Sequence, residues 1–208
     1  MAGKLIVLEG GEGAGKGTII TGLKQRHPEF IYTREPGGTE FAEKVRAITL
    51  DKGANLSTKA QLISMFAMRC DHMDKIILPA IEKGLTVISD RFDISSYAYQ
   101  VSQSSDPQVR DLYFVLRENL LAKVPLIYYI ILDINPEVGL IRKKKQDEEN
   151  FFETKTLEFH QTVRKAMQKG ILDLASSKMP PTDYSLINAN ATREELLSNV
   201  LTQINKWL

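Results

Sequence analysis

Short apolar runs alternate along the chain with longer stretches of helical periodicity. Residues 5–8 form an unbroken apolar run that predicts a buried strand, followed by a glycine-rich turn and a helix over about 16–25. A second short strand is expected over 30–33, and Pro36-Gly37-Gly38 turns it into a helix over about 40–50. Residues 57–83 predict one or two helices, bent near the end by Pro79 and stopped by Gly84. Residues 85–89, 126–132 and 185–187 read as the third, fourth and fifth strands. Helical patterns fill the gaps, among them 154–175 and a last helix over about 192–207, where Thr192 and Glu195 stand at capping-box spacing.

Strands separated by helices build βαβ units. The expected fold class is therefore α/β: a five-stranded, mostly parallel sheet with helices on both faces, in three layers. Ligands of such sheets bind beyond the carboxyl ends of the strands, and every motif below follows a strand at that end. At 208 residues the chain suits one domain, expected to span 1–208, and is short for two.

Composition narrows the partners. Lys and Arg number 27 against 26 Asp and Glu, a formal net charge of +1. That balance argues against nucleic acid as an obligate partner, which needs a basic face, yet permits a local cluster for a small polyanion. Cys70 is the only cysteine, so no intramolecular disulfide can form, and it reads as a small packing residue in an apolar helical stretch. No apolar run suits a signal peptide or a membrane span. A soluble protein of the cytoplasm, with no membrane partner, is expected.

Gly10-Gly11-Glu12-Gly13-Ala14-Gly15-Lys16-Gly17-Thr18 lies between the first strand and the first helix. The GxxxxGK spacing lets consecutive backbone N–H groups turn inward around a phosphate. The helix N-terminus adds partial positive charge, and Lys16 brings a full one to the β and γ phosphates. The pattern calls for Ser or Thr directly after the lysine, where its hydroxyl meets Mg²⁺. Here Gly17 stands in that place, as it does in adenylate kinases, and Thr18 comes next. The metal would then lean on carboxylates and water, with Asp90 the obvious candidate and Thr18 within reach of a phosphate.

The cradle says nucleotide without naming a reaction. Thr33-Arg34-Glu35-Pro36-Gly37-Gly38-Thr39, then Ala42-Glu43-Lys44-Val45-Arg46, closely resembles the bacterial thymidylate kinases. So does Asp90-Arg91-Phe92-Asp93-Ile94-Ser95-Ser96-Tyr97-Ala98-Tyr99-Gln100. The resemblance runs nearly end to end and keeps four motifs in order and spacing. It implies a P-loop nucleoside monophosphate kinase fold with a mobile lid, and transfer of the γ-phosphate of ATP to dTMP with Mg²⁺. It also implies roles for residues. Arg91 would bridge donor and acceptor phosphates beside Asp90, and Lys16, Asp90 and Arg91 would carry catalysis. Arg34, Glu35 and Arg46 fall on the acceptor side, and Glu12 would take the sugar 3′-hydroxyl. Arg69 would donate to a thymine carbonyl, Ser96 and Gln100 lie near the base, and Tyr99 would crowd the sugar 2′ position. Met65 stands where the family usually stacks a Phe on the pyrimidine, while Phe66 points about 100° away and reads as core.

A charged stretch after Arg142 matches the family's lid, about residues 142–155. Members without an arginine in the cradle supply one from the lid, but the matching position here is Phe151. Arg142, or one of Lys143, Lys144 and Lys145, would replace it, and Glu153 matches a lid acid. Asn188-Ala189-Asn190-Ala191 matches the loop that passes the adenine. Family members are commonly homodimers packed through helices. The apolar segment 65–81 could serve that contact or the internal core. Two other readings remain: a broader deoxynucleoside monophosphate or nucleoside kinase, and a nucleotide switch without transfer.

Overall fold

The computed structural model describes residues 3–51, 53–143, 155–176 and 181–208. Among them, five strands form one parallel sheet: β1 (Lys4–Gly10), β2 (Ile31–Arg34), β3 (Thr86–Asp90), β4 (Ile127–Asp133) and β5 (Thr182–Asn188). Their order is β2-β3-β1-β4-β5. The chain leaves β1 for the outer β2, returns to β3, then crosses to β4 and β5 on the other side. The winding therefore reverses at β1, where a crevice opens at the carboxyl edge. In register, Asp90 lies opposite both Leu8 and Arg34, which brings the ends of β1, β2 and β3 together.

Helices α1 (Lys16–Arg26) and α9 (Arg193–Trp207) cover one face. There Ile6, Leu8, Ile88 and Ile130 of the sheet meet Ile19, Leu23, Leu196 and Val200. The other face carries α3 (Thr58–His72), α4 (Leu78–Glu82), α5 (Asp93–Tyr99), α6 (Pro107–Leu121) and α8 (Leu157–Ser176). Leu5, Val7, Val87, Ile127 and Tyr129 pack there against Phe66, Met73, Ile94, Tyr113 and Ile171. Both faces being buried explains why the central strands read as unbroken apolar runs instead of alternating ones. Helices α2 (Glu40–Thr49) and α7 (Pro136–Lys143) complete the described α-helices.

The segment predicted over 57–83 is α3, a π-helical turn at Met73–Ile77, and α4. Pro79 has no N–H to offer Lys75, and the ladder slips by one residue, with the Leu78 N–H reaching the Met73 carbonyl. Met65, Phe66, Met68, Met73, Ile77 and Ile81 are buried, so the apolar side of this segment is internal core. One expectation fails. Cys70 is exposed, because the buried arc of α3 runs from Met68 to Phe66 and Cys70 falls beyond its edge beside Ile63.

Candidate functional site

A cavity of about 800 Å³ lies along the carboxyl edge of the sheet. The turn after β1 lines its middle. Gly13 and Gly15 adopt φ of 69° and 90°, a region that side chains disfavour, and this turns the loop around the N-terminus of α1. A Cβ on Gly13 would lie 2.0 Å from the Gly139 carbonyl of α7, so the loop is also pressed against its neighbour. Among the described residues nothing lies within 4 Å of where a Gly17 Cβ would stand, so their packing does not dictate the missing hydroxyl. Thr18 is exposed on the cavity wall.

Two cations meet at one oxygen. Lys16 Nζ donates to the Gly10 carbonyl at 3.0 Å, and Arg91 Nη1 donates to the same carbonyl at 3.0 Å. Burial pulls the Lys16 ammonium below its ordinary value and Arg91 adds to the effect, while Asp90, Glu12 and Glu9 oppose it. Arg91 Nη2 also pairs with Glu12 Oε1 at 2.8 Å, and Tyr99 donates to the same oxygen at 3.4 Å. For Glu12, burial favours the neutral acid, but Arg91 and Lys16 outweigh it and the carboxyl is held below its usual range. Asp90 Oδ1 is buried beside these groups with no hydrogen-bond partner among the described residues.

The residues expected on the acceptor side gather at one end. Arg69 is buried, with Nε on Glu35 Oε2 at 2.6 Å and Nη2 on the Phe92 carbonyl and Ser96 Oγ. The Phe66 and Phe92 rings lie 4.8 and 5.1 Å from its guanidinium carbon, so Phe66 also supports the arginine besides filling core. Among the described residues, Arg69 Nη1 and Gln100 Nε2 are buried without partners. Met65 is buried and lines the cavity nearby. Glu35 is placed behind Arg69, as its anchor. Arg46 Nη1 reaches the Pro36 carbonyl at 2.5 Å, and Arg34 pairs with Glu43 at 2.8 Å at the half-exposed rim. Arg142 lines the opposite end and donates to the Ala189 carbonyl at 2.8 Å.

The profile of the thymidylate kinase family matches residues 8–181. The chain belongs to the thymidylate kinase family. Thymidylate kinase of Chlamydia trachomatis serovar L2 is 36% identical over 207 residues, covering 96% of this chain and 97% of that protein. Thymidylate kinase of Lactobacillus acidophilus is 34% identical over 220 residues, covering 100% and 96%. That of Hahella chejuensis is 34% identical over 201 residues, covering 93% and 92%.

Several groups at this family site escape a motif reading. Glu9 is fully buried and accepts from the Phe92 and Ser95 N–H groups and from Ser95 Oγ, fixing the start of α5. Burial raises its carboxyl above the usual range, against the pull of Arg91. Its signal was an acid closing an apolar run. Arg193 lines the cavity directly after the Thr192 cap, and His72 backs Glu35. Lid positions Lys144, Lys145, Phe151 and Glu153 lie outside the described residues.

Proposed function

We propose that this chain, as a single kinase domain, transfers the γ-phosphate of ATP to dTMP, giving dTDP and ADP. The observation that carries the reading is the convergence of Lys16 and Arg91 on the Gly10 carbonyl. Two half-buried cations drawn to one neutral oxygen leave positive charge poised over the middle of the cavity, where a phosphoryl group would pass.

The donor triphosphate lies in the loop from Gly10 to Thr18, with its β and γ oxygens on backbone N–H groups and Lys16. Arg142 and Arg193 face the donor nucleotide from the other side. At the acceptor end Arg69 Nη1 and Gln100 meet the base, with Ser96 and Met65 beside it, Glu12 and Tyr99 meet the sugar, and Arg34 and Arg46 flank the phosphate. An oxygen of the dTMP phosphate bonds to the γ-phosphorus as the bond to ADP breaks. Arg91 spans both phosphates, aligns them, and meets the charge that gathers on the transferred oxygens. The alternative of a broader acceptor range draws no support from the family match or from the relatives, which are thymidylate kinases.

Mg²⁺ fits the residues present. Among the described residues the buried Asp90 Oδ1 has no partner, a costly state that a cation would relieve, and Thr18 lines the same cavity. Among the described residues no cluster of three acidic, His or Cys side chains could hold a metal, so phosphate oxygens and water would complete the shell. Bound there, the ion would neutralise donor phosphate charge. A cytoplasmic homodimer completes the reading, with Ile63 and Val115, exposed on neighbouring helices, as apolar contact groups that sedimentation would test. Among the described residues no helix is long and apolar enough to cross a membrane.

A coupled assay across nucleoside monophosphates tests the reaction. dTMP should be the best acceptor, and Arg91→Ala should lower kcat by about 100-fold or more while dTMP still binds. Turnover of AMP or CMP but not dTMP would end the proposal.

A further inference from the structure

Arg69 is the group assigned above to the base, and a line of buried side chains extends behind it. The two oxygens of Glu35 are divided: Oε2 takes Arg69 Nε at 2.6 Å, and Oε1 lies 2.9 Å from His72 Nδ1. His72 is fully buried, and its Nε2 lies 2.6 Å from Thr33 Oγ1. A carboxylate only accepts, so Nδ1 carries the imidazole proton toward Glu35, and Nε2 takes the Thr33 hydroxyl. The loop after β2 is moulded to the same ring. A Cβ on Gly38, at φ 92°, would stand 2.7 Å from His72 Nε2 and 3.0 Å from Thr33 Oγ1. Between Thr33 and Gly38 lie Arg34, Glu35 and the Pro36 carbonyl that holds Arg46.

We propose that His72 is a positioning residue for the acceptor nucleotide. It locks Glu35, and through Glu35 it holds the Arg69 guanidinium with Nη1 unspent and available to a carbonyl of the base. Its other nitrogen ties that arrangement to the loop carrying the phosphate-end arginines, so the two ends of the acceptor site share one buried support. A histidine that only filled space would leave its ring nitrogens to any local acceptor. Here both are spent on segments of the acceptor site. The inference rests on Arg69 facing the base as proposed above.

Steady-state kinetics of three variants test it, with dTMP and ATP varied separately. His72→Leu should raise KM for dTMP about tenfold while KM for ATP and kcat stay within about threefold. His72→Asn places an amide N–H near the Nδ1 position and should bring KM for dTMP back to within about threefold of the parent. His72→Gln reaches toward Nε2 and should not. An unchanged dTMP KM in His72→Leu overturns the inference, as does an equal rise for both nucleotides, which marks general loosening. Should His72→Leu fail to fold, the Asn and Gln variants decide: Asn better than Gln supports the inference, and equal values overturn it. A parent chain that does not phosphorylate dTMP overturns the functional reading and this inference together, whereas an active parent with no His72 effect overturns the inference alone.

Discussion

Arg91 adopts φ 67°, a left-handed backbone that costs a side-chain-bearing residue about 1 kcal/mol or more. The chain holds it there because its N–H donates to the Leu8 carbonyl, and its side chain binds Gly10 and Glu12. Glu12 is the counter-charge, and its depressed carboxyl has a consequence for stability. A folded value below the unfolded value near 4.5 means the ion pair stabilises above that pH and its contribution is lost as pH falls through the folded value. Glu12→Gln should therefore be less stable by about 1–2 kcal/mol at pH 7, with a smaller loss on acidification. Denaturant titrations from pH 7 to 3 should show the two curves converging; parallel curves would refute the assignment. The motif residues Lys16, Asp90 and Arg91 were legible because their spacing is fixed by local backbone geometry. Glu9 and His72 were not, because their partners lie 83 and 37 residues away and only the folded chain brings them together.

At the scale of elements, strands that are buried on both faces announce themselves as apolar runs, and four of the five were bounded to within two residues. The fifth was read as 185–187 but runs Thr182–Asn188, because its first residues are polar and its outer position leaves Leu186 52% exposed. The π turn before Pro79 left no periodic signature, since one extra residue per turn is too small a shift in a short helix. The start of α9 was legible in full: Thr192 accepts from the Glu195 N–H, and Glu195 accepts from the Thr192 N–H at 3.0 Å. This cap also forms part of the cavity wall. Thr192→Ala should cost about 1 kcal/mol, seen as a fall of about 2–4 °C in Tm for a chain of this size. An unchanged Tm would show that packing of Leu196, Val200 and Ile204 alone holds the helix.

On the proposed reading, the two nucleotides divide between the layers of the molecule. Arg69 and Met65 come from α3 and Gln100 directly follows α5 on one face of the sheet, while Ala191, Arg193 and Leu196 come from the α9 side on the other. The carboxyl edge of β1 and β3 holds Lys16, Asp90 and Arg91 between them. A compound joining adenosine and thymidine 5′ to 5′ through a polyphosphate chain should then occupy both ends at once, because the 800 Å³ cavity is continuous. Linking converts the second contact into an intramolecular one, so binding should exceed that of either nucleotide alone. At about 100 times its Kd, such a ligand stabilises the fold by about 2.7 kcal/mol, a rise of about 5–10 °C in Tm. Arg91→Ala should remove most of the advantage over the single nucleotides, since its guanidinium meets the linking phosphates. If the joined compound bound no better than ATP, the two halves of the cavity would be separate sites, and the in-line arrangement drawn here would fail.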